Sequence, residues 1–435
     1  MIKDLIVKII VEKSEYNLNN PQNNNMIVST SGSGFFIKDS FILTCYHVIK
    51  DHVKISITHK NTNKKKLHVI VHSIYPDDDL AVLYIDTKKY KLNIQMNIPI
   101  HILNNNINDN ENNVLVYGYP LDSNYLKTSK GILSGFQDSL FQTDATLNPG
   151  NSGGPLIWNN KIIGINVAKI TSEKVDNVGY AIPIQRFLAY QKTDLDSLIN
   201  EKIYLKPSLV SMFQNIENND QFKKFNLSIP LKDDQYYGIR ITKTHENSIL
   251  SQIGIKPGDF LLEWDNKIID IYGDVKIDNY PEKVNMTEIC KWYHIGKKIN
   301  IKYYSTDTSK IIEKNIKLIK PKSNIVNFYQ NYTEPFFHTI NNLTFSVITF
   351  DHIKKINKIN LEMEDKIYVT DNFVNLKNKF IIYLVKQNPT EYTVKLEEGC
   401  VVIKINNQEL KTYNELTSIK KITSIEFLSK TKYYI

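Results

Sequence analysis

The stretch Asn148-Pro149-Gly150-Asn151-Ser152-Gly153-Gly154-Pro155 sets a serine among glycines. Its hydroxyl is unshielded there, and nearby backbone N–H groups can converge on one point, which are the parts of a nucleophile and an oxyanion site. A serine hydroxyl attacks poorly until an imidazole takes its proton, and the imidazole needs a carboxylate to hold one tautomer. Upstream, Phe41-Ile42-Leu43-Thr44-Cys45-Tyr46-His47 ends an apolar run on a histidine, and Asp77-Asp78-Asp79-Leu80-Ala81-Val82-Leu83 carries an acid into another. The assignment is His47 as base, Asp79 as its acid and Ser152 as nucleophile. Asp79 adjoins Leu80–Leu83 and is expected to point inward, whereas Asp77 and Asp78 read as solvated turn residues. The N–H groups of Gly150 and Ser152, with Asn151, would bind the oxyanion.

Two other chemistries fit part of this pattern. Gly150-Asn151-Ser152-Gly153-Gly154 also matches the G-x-S-x-G elbow of α/β-hydrolases, which turns from strand into helix with acid and histidine later in the chain. Here Pro155–Trp158, Asn159-Asn160 and Lys161–Ile165 read as strand, turn, strand, and both partners precede the serine. The order His, Asp, Ser is that of chymotrypsin-type hydrolases. Cys45, two residues before His47, could be a catalytic thiol, but reads better as a small core residue. No cofactor or metal is called for.

These residues need a rigid frame. From Ile2 to about Ile184, short β-branched runs alternate with Gly, Asn, Asp and Ser turns, which suggests a β-barrel or sandwich. Asn17–Asn25 reads as a polar surface loop within it, and Ile184–Leu198 as a closing helix. Beyond lies an internal repeat: Lys256–Asn266 parallels Glu397–Asn407, each with a glycine turn, an apolar strand and an Asx-Asn pair suited to a tight hairpin. The expected domains are 1–198, 203–322 and 325–435.

The bulk properties narrow the class. The 435 residues are 42% apolar and 23% charged, as in ordinary globular chains. The net charge of +8 comes from lysines, mostly scattered, with Arg186 and Arg240 the only arginines. That is a poor fit to nucleic-acid binding, which clusters basic residues and uses arginine forks. Three widely spaced cysteines, Cys45, Cys290 and Cys400, suit a reducing compartment rather than a disulfide framework. No run approaches a membrane span, and Asp4 and Lys8 interrupt the apolar start, so a first strand is expected rather than a signal peptide. The expected location is the cytoplasm or another reducing compartment.

With these motifs in view, the chain resembles the Deg/HtrA family of serine proteases. Ser33–Phe36, Ile42–His47 and Asp79–Leu83 match the family's first two triad blocks, and Gln142–Ala145 with Gly150–Pro155 the third. Gly164–Asn166 and Val178–Pro183 match the barrel's end. Lys206–Val210, Gly238–Ile241 and Gly254–Asp259 look like the first PDZ domain of the plant and fungal branch, and the segment from Asn331 onward, more weakly, like its second. The resemblance implies an all-β dominated chain: a chymotrypsin-like double β-barrel followed by two PDZ-like α+β domains. It implies an ATP-independent endopeptidase of protein quality control, acting on unfolded or damaged proteins as a trimer or multiple of trimers. By position, Leu147, Asn166, Val167 and Ala168 would bind substrate, Leu147 and Ala168 lining an apolar pocket for a small or medium aliphatic residue. Pro207, Ser208, Leu209 and Val210 would receive a peptide carboxylate, the peptide adding as a strand. Departures are Cys45-Tyr46 before the histidine and the short Phe136–Leu140 segment, where bacterial relatives carry a long loop relaying PDZ occupancy to the active site. A peptide-binding chaperone or scaffold with little proteolysis is the competing class.

Overall fold

The computed structural model describes all residues except 1, 15–16, 22–25, 63–64, 93–111, 170–177, 191–201, 217, 226, 228–234, 279, 324, 326, 334–335, 360, 378, 388–395, 397, 429–431 and 435. The chain divides into two compact units, Met1–Lys13 with Val28–Pro321, and Ser14–Ile27 with Lys322–Ile435.

The first unit opens with β1 (Ile6–Lys13), β2 (Val28–Lys38), β3 (Phe41–Cys45), α1 (Tyr46–Ile49), β4 (His52–Thr58), β5 (Leu67–His68), β6 (Ile70–Tyr75) and β7 (Leu80–Tyr84). Val, Ile and Phe side chains half-buried on a pleated surface favour these strands. Joined by β14 (Lys202–Ile203), they form one sheet in the order β14-β6-β7-β3-β2-β1-β4-β5. Next come β8 (Asn113–Gly118), β9 (Lys127–Gln137), β10 (Leu140–Thr143), β11 (Pro155–Trp158), β12 (Lys161–Lys169) and β13 (Gly179–Pro183), which close into a barrel. Val114, Val116, Leu133, Phe141, Leu156, Ile163 and Ala181 help to fill its core. The strand, turn, strand reading after the serine holds: Asn159 and Asn160, both at positive φ, join β11 to β12, as a two-residue hairpin requires. α2 (Ile184–Leu188) follows, shorter than expected from sequence, with residues 191–198 of that expected helix outside the described residues.

Residues beyond β14 build a second sheet, β15 (Ser211–Gln214), β16 (Ile239–Thr244), β17 (Phe260–Trp264), β21 (Lys298–Ser305) and β22 (Lys310–Lys317) in that order, with β18 (Lys267–Ile268) paired to β17. β19 (Asp274–Lys276) and β20 (Lys283–Asn285) form a separate hairpin, and α3 (Asn219–Lys223) and α4 (Ile249–Gln252) are single turns. The β9–β10 hairpin touches this module: the Phe136 ring meets Tyr280 edge-on at 5.5 Å, and Phe141 lies 6.5 Å from it.

In the second unit, β23 (Phe337–Ile340), β24 (Leu343–Val347), β25 (Ile382–Gln387), β26 (Val401–Ile405), β27 (Ser424–Phe427) and β28 (Lys432–Tyr434) lie in chain order, accompanied by α5 (Phe350–Lys354), α6 (Met363–Val374) and α7 (Tyr413–Ser418). The repeat noted in the sequence recurs in the backbone. Gly258 (φ 102) and Gly399 (φ 87) precede β17 and β26. Asp265-Asn266 (φ 51 and 62) and Asn406-Asn407 (φ 52 and 65) end them. The early segment read as a surface loop packs within this unit. Leu18 is buried with Ile348, Val369, Tyr383 and Val401, and the Tyr383 hydroxyl donates to the Leu18 carbonyl at 2.7 Å. Gln330 Nε2 donates to the Ser14 carbonyl at 2.7 Å. Residues 22–25 of that segment lie outside the described residues. Among the described residues, no helix is long and apolar enough to cross a membrane.

Candidate active site

β3 runs between β2 and β7, and its register pairs Cys45 with Leu80. The end of β3 therefore lies beside Asp79, and α1 lifts His47 off the strand. Asp79 has a left-handed backbone (φ 53, ψ 38) after the Pro76–Asp78 turn. Its carboxylate accepts twice from His47, from the backbone N–H at 2.8 Å and from ring Nδ1 at 2.6 Å. The Tyr46 N–H donates to the Asp79 carbonyl at 2.9 Å. An ionised carboxylate only accepts, so Nδ1 carries the hydrogen and Nε2 keeps its lone pair, the tautomer of a general base.

The serine arrives from the barrel. The turn before β11 is tied to β2, because the Ser33 N–H donates to the Ser152 carbonyl at 2.9 Å and the Ser33 hydroxyl to the Gly150 carbonyl at 2.7 Å. Gly153 needs to be glycine: its φ is 83°, and a Cβ there would run into the Ser33 carbonyl and the Thr44 hydroxyl. The Gly153 N–H donates to the Asn166 carbonyl at 2.8 Å, and the Cys45 thiol reaches the same oxygen at 3.3 Å. The turn that carries Ser152 is thus packed against the end of β3, two residues before His47.

Several expectations are refined here. Among the described residues, the N–H groups of Gly150 and Ser152 make no hydrogen bond, as an oxyanion site requires. The Asn151 N–H is spent closing its turn onto the Asn148 carbonyl at 2.9 Å, so it is not an available donor. The Ser152 hydroxyl donates to the Val167 carbonyl at 2.6 Å; Val167 sits where β12 and β13 slip register between Asn166 and Ala168. The hydroxyl therefore rests on β12, not on His47, and catalytic hydrogen bonds often tighten only with substrate bound.

The reading of the acidic trio needs correction. Asp79 is partly exposed and Asp78 is the buried one, its side chain wholly inaccessible. Asp78 Oδ1 accepts from Arg186 Nε at 2.7 Å and from Arg186 Nη2, and Oδ2 accepts from the Tyr190 hydroxyl at 2.7 Å. Adjacency to an apolar run could not reveal a partner more than a hundred residues away. The faint signal was Arg186 itself, one of two arginines among many lysines and the residue suited to forked carboxylate recognition.

Cys45, His47 and Asp79 place ligand atoms within 4.8 Å of one another, a spacing that could hold a metal ion. Burial, reinforced by the Asp79 charge, pushes the Cys45 thiol well up from its ordinary range. A neutral thiol neither ligates well nor attacks, and the nearest His47 and Asp79 atoms are already hydrogen-bonded to each other. The constellation suits proton transfer.

Of the residues expected to line a pocket, Leu147 is buried against Gly179. The Asn166 side chain is fully buried and donates to the Pro155 carbonyl at 3.0 Å, so it braces β11 while its backbone faces the seam. Ala168 pairs with Tyr180. In the following module, Pro207–Val210 runs into β15, an edge strand. With Phe213, Met286, Lys291 and Lys320 it lines a cavity of about 320 Å³. The Ser208 N–H is committed to the Ile319 carbonyl at 3.1 Å, and Val210 has φ 43.

These features define a trypsin-like peptidase domain, and the family model of that description matches residues 32–165. The chain is 33% identical over 196 residues to Protease Do-like 4, mitochondrial, of Arabidopsis thaliana, covering 42% of this chain and 36% of the relative. It is 26% identical over 365 residues to Putative protease Do-like 13 of the same plant, covering 81% of this chain and 70% of the relative. The chain thus spans about a third of the first relative's length and more of the second's. The solved HtrA-type protease AlgW with decapeptide shares the fold, with a TM-score of 0.51 at 20% identity over 74% of this chain and 97% of that one. The chain therefore carries a trypsin-like peptidase domain and is similar to Do-like and HtrA-like serine proteases.

Proposed function

We propose that the protein is an ATP-independent serine endopeptidase that cleaves unfolded or damaged proteins through an acyl-enzyme. His47 would take the Ser152 proton and return it to the leaving amine, Asp79 would hold the imidazole, and the Gly150 and Ser152 N–H groups would bind the oxyanion. The doubly bonded His47–Asp79 pair carries this reading, because it fixes a base tautomer beside a glycine-flanked serine whose neighbouring N–H groups stand open. Leu147, with the β12 backbone from Asn166 to Ala168, would hold an aliphatic residue before the scissile bond. Pro207–Val210 would receive a peptide carboxylate, the peptide extending the sheet at β15. Domains at 1–198 (less Ser14–Ile27, which packs with the last), 203–322 and 325–435, a homo-oligomer that is a trimer or a multiple of trimers, and a reducing compartment complete the proposal, the compartment supported by three buried thiols. No cofactor is required.

Digestion of an unfolded model protein by wild type and Ser152→Ala tests the reading. Wild type should cleave after small or medium aliphatic residues, and the variant should not. Equal cleavage by both, or by neither, would sink it. The rest position of the Ser152 hydroxyl on Val167 is the one observation favouring a peptide-binding scaffold. Labelling of Ser152 by a fluorophosphonate separates the two.

A further inference from the structure

Three consecutive acidic side chains leave the β6–β7 turn toward three different partners. Asp79 engages His47 through both oxygens. Asp78 is sealed between Arg186 and Tyr190, with Lys206 Nζ 3.5 Å from Oδ2. Asp77 Oδ2 accepts from the Lys206 N–H at 2.8 Å and from Lys320 Nζ at 3.0 Å. Lys206 is itself buried, its ammonium 3.7 Å from the centre of the Tyr190 ring. Arg186 and Tyr190 come from the end of the peptidase domain, and Lys206 and Lys320 frame the module that follows.

A buried carboxylate persists only when it is paired and hydrogen-bonded, and removing one partner strands the other. Asp78 is therefore anchored more firmly than any other residue of its turn. Asp79, next in the chain, holds a left-handed backbone, a conformation uncommon for residues with a Cβ though more open to Asp than to most. We infer that Arg186 and Asp78 are positioning residues for the acid of the triad, and that Asp77 extends the same hold to Lys206 and Lys320 of the following module. The inference rests on the His47–Asp79–Ser152 reading. It makes the turn a common support: one face aims the acid, and the other grips the chain's exit from the peptidase domain. Arginine is required at 186 because two nitrogens converge on one oxygen, a fork lysine cannot reproduce.

The test compares wild type with Arg186→Lys, which keeps the charge, and Asp77→Asn, whose side chain is only partly buried. Readouts are kcat and KM on an unfolded substrate, and the far-downfield NMR resonance of the proton shared by His47 and Asp79. Arg186→Lys should lower kcat roughly 10- to 100-fold with KM little changed, as for a misplaced catalytic group, and should broaden or shift that resonance. Asp77→Asn should move both readouts the same way by less. Folded variants with wild-type kcat and an unmoved resonance overturn the inference. So does a loss of kcat that only tracks the unfolded fraction. If Arg186→Lys does not fold, Asp77→Asn decides. Wild type that cleaves no better than Ser152→Ala discredits the triad reading instead, and the resonance still reports whether Arg186 fixes the pair.

Discussion

At the scale of single residues, two hydrogen bonds hold His47 to Asp79, and a separate buried cluster holds the aspartate before it. His47, Asp79 and Ser152 stood out because each lies at the end of an apolar run or among glycines, a local signal. Asp78, Arg186, Tyr190 and Lys206 form one buried cluster assembled from positions far apart, which no local pattern encodes. Gly150 gives a direct check on the proposed oxyanion turn. Its φ is 100°, and a Cβ there would collide with the Tyr119 carbonyl. Gly150→Ala should therefore twist a donor away and cut kcat by about 10²–10³, as loss of one oxyanion donor does, with KM as the control. Lys206 gives a pH signature. Burial pulls its ammonium down to about 8 from the ordinary 10.5. The unfolded chain therefore binds the extra proton between these values, and stability should rise with pH across that window. Lys206→Met removes the titration, so the Tm of wild type should gain on the variant's from pH 8 to 10. A constant gap would count against a depressed lysine.

Elements were legible where turn chemistry marks them. Asn159-Asn160, Asp265-Asn266 and Asn406-Asn407 were each read as tight turns, and all six residues adopt positive φ. The β9–β10 hairpin shows the opposite case. Its brevity sets it apart from the long relaying loop of bacterial relatives, and its Asp138–Ser139 turn leaves Phe136 and Phe141 facing Tyr280. Tyr280 is nearly inaccessible and also packs on Trp292, ring centres 4.4 Å apart. Tyr280→Ala should cost roughly 3–5 kcal/mol, as for other buried aromatics. If hairpin and module share one core, denaturant melts will show a single transition for the unit, moved as a whole. A separate module transition moving alone would show that the packing is incidental.

At the scale of the whole molecule, linear domain boundaries miss that Ser14–Ile27 belongs with Lys322–Ile435. Polar composition pointed to a solvated loop, and the one apolar residue that decides the matter, Leu18, carries no periodicity to announce it. Leu18→Asp should expose the segment, read as new trypsin cuts near Lys13 in limited proteolysis while the peptidase core stays intact. An unchanged digestion pattern would show that the segment is held by its polar contacts alone. Because the chain enters this unit early and returns to it last, shortening the gene after codon 321 is not a neutral excision. It would leave a greasy hook near the amino terminus with nothing to catch, so stickiness or low yield of such a fragment reports on that orphaned leucine before it reports on peptide binding.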